Sequence, residues 1–284
     1  MGLGGSVGTN SRDYRPAYCD STTEPTPPKS KTIHRRRPFE ARLIPVLCSR
    51  PQRIREATPV RRRPVPWQLA VIAVTGMAVF AALTVAVTSQ PSLAVDSQAI
   101  EAADDLRAPW LDTAAKIVTK FGLIAIVGSA VLLAAVLLFR RRHAVRAAAL
   151  VLGAALAWVS VWITKRVVDR PRPPNPLLHT SGASYPSAHA ANSIGWLAIA
   201  IALTVVIPSR GPRIAAVTAG ALLAVLVGLS RIYLRAHYAS DVLAGEALAV
   251  AIYALAALVG VVRQGRRSSV TDRGTIPLPP TGAT

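Results

Sequence analysis

Cysteine and acidic residues are scarce in this sequence. Only two cysteines occur among the 284 residues, Cys19 and Cys48, and they provide neither a disulfide framework nor a zinc site. Asp and Glu number 14 against 33 Lys and Arg, which gives a formal net charge of +19. A basic balance can indicate nucleic-acid binding. Here the basic residues flank apolar runs, which favours a membrane protein, and we expect no nucleic-acid partner.

Long apolar runs are absent from the first part of the chain. Residues 1–66 are rich in Arg, Pro, Ser and Thr, with too little apolar surface to offset the entropy lost on ordering. We expect a disordered, basic cytoplasmic tail there and a second disordered cytoplasmic tail over residues 263–284. The first apolar run begins too late for a signal peptide.

Apolar residues are concentrated after residue 66. The chain is 51% hydrophobic, with a mean hydropathy of +0.38 despite its charge. Most of the apolar runs approach the ~20 residues that a helix needs to cross a bilayer, and a lipid-exposed span has to satisfy its own backbone hydrogen bonds. We therefore predict an all-α fold, a six-transmembrane-helix bundle over residues 67–262. The six runs are residues 67–88, 122–139, 147–164, 190–207, 214–229 and 242–262.

The basic residues between the runs predict the orientation. The first tail, the arginine triplet at 140–142, the turn with Arg210 and Arg213, and the arginines from Arg263 onward fall on one side, which is cytoplasmic by the positive-inside rule. Both termini are then cytoplasmic, in what we expect to be a bacterial cell membrane. Two outward loops break the rule, and an anionic ligand is the simplest reason. Their basic residues are Lys165, Arg166, Arg170 and Arg172 in one loop and Arg231 and Arg235 in the other.

Three stretches at the outward ends of the spans carry most of the reactive polar groups. They are residues 165–173 (KRVVDRPRP), 184–189 (SYPSAH) and 230–241 (SRIYLRAHYASD). A phosphate is bound well by forked guanidinium groups and by the free N–H groups of a helix N-terminus. Lys165, Arg172 and Arg231 can supply the cations, and Ser187 stands where a helix N-cap or an anion-binding hydroxyl is expected.

Two histidines can divide the work of breaking a phosphoester, because each titrates near neutral pH. His237 and Asp241 are four residues apart and share one face if the segment is helical. Asp241 would then hold one ring nitrogen and leave the other free to attack, while His189 is the natural acid for the leaving group. Taken alone, the His-x3-Asp spacing equally fits a metal pair or a helix salt bridge.

The three stretches together resemble the type 2 phosphatidic acid phosphatase superfamily of membrane phosphatases, which shares its core with vanadium haloperoxidases. The family pattern is Lys-x6-Arg-Pro, Pro-Ser-Gly-His and Ser-Arg-x5-His-x3-Asp, and the resemblance covers roughly residues 67–262. This sequence has Ala188 in place of the glycine. Alanine adds a methyl group and avoids some backbone angles that glycine allows, which puts the loop geometry in question.

The resemblance implies a role for each matching residue. His237 would be the nucleophile and form a phosphohistidine, Asp241 would orient it, and His189 would protonate the leaving group. The family needs no metal for this reaction, and we expect no cofactor. The phosphoryl oxygens would be bound by Lys165, Arg172, Ser187 and Arg231, and by backbone N–H groups near Ala188 and His189.

We therefore expect an integral-membrane lipid phosphatase acting on a phosphomonoester or a diphosphate. An isoprenoid diphosphate such as undecaprenyl diphosphate is the favoured substrate, and phosphatidate or phosphatidylglycerophosphate comes next. Three alternatives remain: a vanadate-binding haloperoxidase, a metal-dependent hydrolase using His189, His237 and Asp241, and a non-catalytic lipid-phosphate-binding or transport protein. The sequence does not reveal the lipid or the oligomeric state.

Four further residues have two interpretations each. Arg166 and Arg170 could contact phosphate or only add charge to the loop. His179 fits a surface histidine better than a head-group contact. Glu246 lies inside the sixth run, where a carboxylate is costly. It could support the basic site from behind, or be protonated or paired with a neighbouring helix.

Overall fold

The computed structural model describes residues 67–90 and 93–273, and the regular secondary structure of these residues is entirely helical. This part of the chain contains eight α-helices, one short 3-10 turn and no strands, so the all-α prediction is confirmed there. The helices are α1 (Trp67–Ser89), α2 (Ala94–Asp105), α3 (Pro109–Val118), α4 (Ile124–Arg140), α5 (Ala144–Val168), α6 (Ala188–Leu203), α7 (Arg210–Tyr233) and α8 (Ala239–Arg273), with the 3-10 turn at Thr119–Gly122 between α3 and α4.

Each of the six apolar runs forms most of one helix, but not every helix is long enough to cross a membrane. Four helices in the described residues pass on length and hydropathy: α1, α5, α7 and the Ala239–Gly265 part of α8. Helix α4 passes only together with the preceding Pro109–Gly122 segment, from which it is bent by 48°, and α6 is a shorter apolar helix of 16 residues. The described residues therefore contain four or five candidate spans rather than the predicted six.

Helix α8 is the central helix of the bundle. Half of the residues in its apolar 18-residue stretch are buried, whereas only 11% of the corresponding stretch of α1 is buried. It packs against α1, α5 and α6. Its inward face consists largely of small residues, among them Ala244, Ala249 and Ala251, which let neighbouring backbones approach closely. The site described below is therefore built around the N-terminal end of the best-buried helix.

The segment between the first two runs forms more structure than an outward loop. It folds into α2, α3 and the 3-10 turn, which pack against α7, and α2 also contacts α8. Arg235, between α7 and α8, forms an ion pair with Asp104 of α2. The hydroxyl of Tyr233 donates a hydrogen bond of 2.7 Å to Asp112 of α3. These contacts hold the short helices against the ends of the spanning helices.

The predicted domain boundaries stay predictions. The tail predicted over residues 1–66 lies outside the described residues. The C-terminal tail was predicted to begin at 263, but α8 continues to Arg273, because nothing in residues 263–273 breaks a helix as Pro or a Gly pair would. Residues 274–284 again lie outside the described part.

Candidate active site

The three polar stretches meet at one end of the bundle around a single cavity of about 490 Å³. Lys165 comes from the end of α5, Arg172 from the loop that follows, Arg231 from the end of α7, and His237 from the connection between α7 and α8. Six of the eight residues predicted for the site line this cavity: Lys165, Arg172, Ala188, His189, Arg231 and His237. Residues as far apart in the chain as Lys165 and His237 are thereby brought to one place.

The other two predicted residues, Ser187 and Asp241, are fully buried behind the cavity. The hydroxyl of Ser187 caps α6 by accepting a 3.4 Å hydrogen bond from the N–H of Ala190. The Ser187 N–H donates to the carbonyl of Asp241 over 2.9 Å. Gly245 makes this approach of α8 to α6 feasible, since a Cβ there would lie 2.5 Å from the Ser187 carbonyl oxygen. The expected contact between Ser187 and a phosphate stays a prediction.

The surroundings of His237 select one tautomer. Its Nε2 lies 3.2 Å from Nη1 of Arg172, and a guanidinium group can only donate, so Nε2 accepts and the ring proton belongs on Nδ1. Nδ1 faces Oδ2 of Asp241 at 3.6 Å, which is longer than a hydrogen bond. Burial lowers the pKa of His237 to about 4. The imidazole is therefore neutral at pH 7, with a lone pair directed toward the cationic side of the cavity.

Asp241 is the centre of a buried polar network. Its carboxylate accepts hydrogen bonds from the Ser184 hydroxyl at 2.7 Å, from the Tyr238 N–H at 3.0 Å and from Arg170 at 2.7 Å. Arg170 also binds Asp96 of α2 at 2.8 Å. Since every partner is itself buried or anchored, the network holds the carboxylate close to His237.

Asp96 completes this network from a helix that carries none of the three motifs. It accepts hydrogen bonds of 2.8 Å from both the N–H and the hydroxyl of Ser240, the residue before Asp241. Only 1% of Asp96 is exposed. Sequence reasoning missed Asp96, because α2 lies at no fixed spacing from the motifs. The only indication in the sequence is that Asp96 is an acidic residue in an outward segment, on the same side as the basic loops.

Arg166 and Arg170, for which the sequence allows two interpretations each, do not line the cavity. Arg170 is 4% exposed and its guanidinium bridges Asp96 and Asp241, so the two carboxylates rather than a phosphate explain it. Burial alone would lower the pKa of Arg170, but the hydrogen bond to Asp96 and the charge of Asp241 raise it, so the group stays charged. The guanidinium of Arg166 lies over the ring of Trp162, 3.3 Å from its centroid.

The three motif cations that line the cavity, Lys165, Arg172 and Arg231, are held by neutral acceptors. Lys165 donates to the carbonyl oxygens of Ala183 at 2.6 Å and Ser184 at 3.2 Å. Arg231 donates to the Thr119 hydroxyl at 2.9 Å. The guanidinium of Arg172 donates to the carbonyls of Ser181, Gly182 and Ala236, at distances between 2.7 and 2.9 Å.

No Asp or Glu of residues 67–90 and 93–265 forms an ion pair with Lys165, Arg172 or Arg231. Burial lowers the pKa of Arg172, yet a guanidinium group stays protonated in proteins. Three positive charges therefore surround one cavity without a compensating anion, which is the electrostatic requirement for binding a multiply charged anion.

The alanine in the second motif fits its backbone position. Ala188 is the first residue of α6, and the described residues other than glycine that have a positive φ are Arg142, Asp169, Asn175 and Arg235. Since Ala188 does not need a left-handed conformation, the substitution costs no backbone strain. The first N–H groups of the helix have no intrahelical partner and remain able to bind an anion.

His179 is exposed, as expected for a surface histidine, and Glu246 lies away from the basic site. His179 is exposed but lines the same cavity as the two other histidines. Glu246 lines a second, apolar cavity of about 700 Å³ between α1, α6 and α8. Its Oε1 is buried without a hydrogen-bond partner, and no ion pair of Glu246 occurs within the described part of the chain, so pairing with a neighbouring helix is not observed.

The metal interpretation of His189, His237 and Asp241 requires a cluster of ligands. Among the residues that the structure describes, no group of three or more His, Cys, Asp or Glu side chains is arranged to hold a metal ion. Asp241 already accepts hydrogen bonds from Ser184, Tyr238 and Arg170, which occupy three of the roughly four acceptor sites of a carboxylate.

Comparisons with known proteins agree with the motifs. The model of the PAP2 superfamily matches residues 146–264, which include all three polar stretches. Phosphatidylglycerophosphatase B of Bacillus subtilis (strain 168) is 31% identical over 181 residues, or 57% of this chain and 85% of that protein. The chain belongs to the PAP2 superfamily, as the resemblance predicted.

A solved structure has a similar fold. It is the crystal structure described as the first transmembrane PAP2 type phosphatidylglycerolphosphate phosphatase from Bacillus subtilis. The two chains superpose with a TM-score of 0.61 and 26% sequence identity, over 68% of this chain and 96% of the other.

Proposed function

We propose that this PAP2-superfamily chain hydrolyses a phosphomonoester or a diphosphate of a membrane lipid through a phosphohistidine intermediate. One observation carries the proposal: His189 and His237 line the same cavity as three cations that have no carboxylate partner in the described residues. A cavity of this kind favours a group with two or more negative charges, and phosphate is the common one in lipid head groups.

In this proposal the phosphoryl group occupies the space between Lys165, Arg172 and Arg231. The N–H groups at the start of α6, at Ala188 and His189, add donors and a partial positive charge. Ser187 accepts the cap hydrogen bond from Ala190 and keeps its O–H as a donor, but the residue is fully buried behind the cavity, so we assign it a smaller share. These preorganised donors stabilise the charge that develops on the equatorial oxygens during transfer.

The first step transfers the phosphoryl group to His237. Arg172 turns its donors to the phosphate, which frees the lone pair on Nε2, and this nitrogen attacks phosphorus while the bond to the leaving oxygen breaks. The leaving oxygen takes a proton from His189. Asp241, whose Oδ2 faces Nδ1 from 3.6 Å, stabilises the positive charge that forms on the His237 ring.

The second step releases phosphate. The neutral His189 accepts a proton from water, the water oxygen attacks phosphorus, and the bond to Nε2 of His237 breaks. His237 is again neutral and His189 is again protonated, so the cycle closes without any other reactant than water. We propose that the reaction needs no metal ion.

In this proposal the substrate is a lipid. The cavity lies at the ends of apolar helices, where a charged head group can enter the cavity while its hydrocarbon chain stays in the bilayer. The names of the relatives favour phosphatidylglycerophosphate. An isoprenoid diphosphate, our first expectation, and phosphatidate remain candidates for a direct comparison.

The proposed topology keeps six spans, with α4 and α6 as the two short ones and the cavity outside the cell. Successive helices alternate in direction, because α5 and α7 end at the cavity and α6 and α8 begin there. In this topology the arginine triplet at 140–142, Arg210 and Arg263 lie at the opposite, cytoplasmic end.

A membrane-impermeant thiol reagent tests this orientation. With Cys19 and Cys48 replaced by Ser, we expect Ser181→Cys to react in intact cells and Arg141→Cys only after the cells are opened. The reverse pattern would overturn the topology.

A phosphate-release assay on the purified protein tests the function. Lipid monophosphates and diphosphates are compared with and without a chelator, in the parent and in His237→Ala. We expect release by the parent in both conditions and a loss of roughly 10⁴-fold or more in the variant, as for removal of other nucleophiles. Loss with chelator would support the metal-dependent hydrolase. Unchanged turnover in the variant, or no turnover in the parent with any lipid, would favour a binding or transport protein.

A further inference from the structure

One wall of the cavity is basic and lies outside the three motifs. Lys116 of α3 and Lys120 of the 3-10 turn both line the cavity, four residues apart on one face. Neither forms an ion pair within the described residues. The carboxylate on their own helix, Asp112, is engaged by Tyr233 at 2.7 Å and by Arg107 at 3.7 Å. These two ammonium groups therefore add positive charge to the cavity without a partner.

Lys116 and Lys120 together are called the lysine wall below. The segment that carries them packs against the side of the cavity that contains His189. A Cβ on Gly122 would lie 2.9 Å from the Cβ of His189, so the end of the 3-10 turn touches that histidine directly. Asn192 of α6 donates to the Gly122 carbonyl at 3.1 Å, and Arg231 holds Thr119. Arg172, in contrast, contacts His237. The segment that carries Lys116 and Lys120 thus packs on the His189 side of the cavity, and Arg172 lies on the His237 side.

The cavity is also larger than one phosphoryl group requires. A phosphate has five heavy atoms and fills a volume on the order of 100 Å³, or a few waters at about 30 Å³ each. The cavity of about 490 Å³ leaves room for a second polar group beside the reacting one. The exposed His179, from the loop after α5, lines the same cavity.

We propose that Lys116 and Lys120 form a second anion subsite, which binds a second phosphate of the substrate and gives the enzyme a preference for lipids that carry two phosphates. The proposal rests on the proposed function, because it assigns the second phosphate to the leaving-group side of the same reaction. Phosphatidate, which has one phosphate, leaves this subsite empty.

Two substrate classes supply a second phosphate, and they differ in kinetics. In a lipid diphosphate, the bond between the terminal phosphorus and the bridging oxygen breaks, and the bridging oxygen leaves with the lipid monophosphate. The lysines then neutralise charge that grows in the transition state, which raises kcat. In phosphatidylglycerophosphate, the second phosphate is a diester separated from the reacting group by glycerol. Its charge does not change during the reaction, so the lysines lower KM instead.

The test compares substrates within matched pairs, in the parent and in the double variant Lys116→Gln/Lys120→Gln. One pair is an isoprenyl diphosphate and the monophosphate of the same chain, and the other is phosphatidylglycerophosphate and phosphatidate with the same acyl chains. For the doubly phosphorylated member of at least one pair, we expect kcat/KM to fall about 10-fold or more, as for loss of charge-assisted contacts. We expect less than a threefold change for the singly phosphorylated member, which also reports that the variant is folded.

Two controls sharpen the comparison. Lys116→Arg/Lys120→Arg keeps the charge and should retain the preference, whereas Arg166→Gln removes a cation that lies over Trp162 and should leave it unchanged. An equal fall for both members of each pair, or no fall for either, would overturn the subsite. Absence of phosphate release by the parent from all four lipids would overturn the proposed function itself, so the two failures are distinguishable.

Discussion

The arginines at the cavity end of the protein fall into two groups. Arg107, Arg170 and Arg235 each form an ion pair with aspartate, and none of them lines the first cavity. Arg172 and Arg231 do line it, and their hydrogen bonds go to carbonyl oxygens, a hydroxyl and an imidazole. Lys165 follows the second pattern, with two carbonyl acceptors.

The contrast is sharpest between Arg170 and Arg172, which are two residues apart in one loop. Taking a charge out of water is costly, and an ion pair recovers part of that cost. Arg170 recovers it from Asp96 and Asp241, whereas Arg172 is half-buried without a carboxylate. The first arrangement stabilises the fold, and the second leaves a charge available for a ligand. Pairing therefore distinguishes the structural cations of this site from those that we propose bind the anion.

The largest expected effect concerns the structural group. Arg170→Met leaves two buried aspartates without their shared cation, and breaking a buried pair in this way costs about 3–5 kcal/mol. We expect a large drop in the Tm of the detergent-solubilised protein.

A second substitution separates charge from packing in that experiment. Adding Asp96→Asn to Arg170→Met removes one of the two unpaired carboxylates and should recover part of the lost Tm, while Arg166→Gln should leave it near that of the parent. A stable Arg170→Met protein would contradict the assignment of Arg170 to the fold.

For the arginines that line the cavity, we expect a loss of activity with little change in Tm. Arg172→Ala and Arg231→Ala should each raise the activation barrier by about 2–4 kcal/mol, as for loss of a preorganised electrostatic donor. Their Tm should change little, since removing one cation relieves repulsion among the others. Steady-state phosphate release checks the expected loss of activity, and thermal unfolding of the same preparations checks the Tm. A loss of activity below threefold would reject the phosphate-binding assignment.

How far the sequence predicts this site depends on where each residue lies in the chain. Lys165, Arg172, His189 and His237 stand in motifs whose spacing indicates their chemistry, and the cavity brings them together. The division between Arg170 and Arg172 could not be predicted, because it is decided by Asp96. That residue approaches only through the packing of α2 against α7 and α8.

The same limit applies to the lysine wall and to the number of spans. Lys116 and Lys120 belong to a segment with no motif, and only the contact between the 3-10 turn and α6 brings them to the cavity. The six apolar runs are visible in the sequence, but the helix lengths are not. Thus α6 ends at Leu203, and α4 begins after a bend of 48°.

A smaller effect is expected from binding inorganic phosphate, the product of the proposed reaction. A ligand at ten times its Kd stabilises the folded protein by about 1.4 kcal/mol. Phosphate should therefore raise the Tm of the parent and leave that of Arg172→Ala unchanged. Arg107→Gln, which loses a paired arginine outside the cavity, should respond like the parent. An equal shift in all three proteins would indicate binding elsewhere and erase the distinction between the two groups.

The smallest effect is expected from restoring the family's glycine. Because Ala188 already lies at the start of α6 without a left-handed φ, Ala188→Gly should change kcat/KM by less than about threefold. Kinetics on one lipid phosphate are sufficient to measure this. An increase above tenfold would show that the alanine methyl group obstructs the phosphate.

The central claim is that His237 attacks phosphorus inside this cationic cavity. Rapid quenching of His189→Ala, mixed with a lipid diphosphate labelled in the terminal phosphate, tests it most directly. A lipid monophosphate leaves with little need for an acid, whereas hydrolysis of the phosphohistidine needs His189 as a base, so label should accumulate on the protein. The account predicts an acid-labile, alkali-stable phosphoprotein that disappears when His237→Asn is added. Phosphate release without any labelled protein, or label that persists in the double variant, would contradict it.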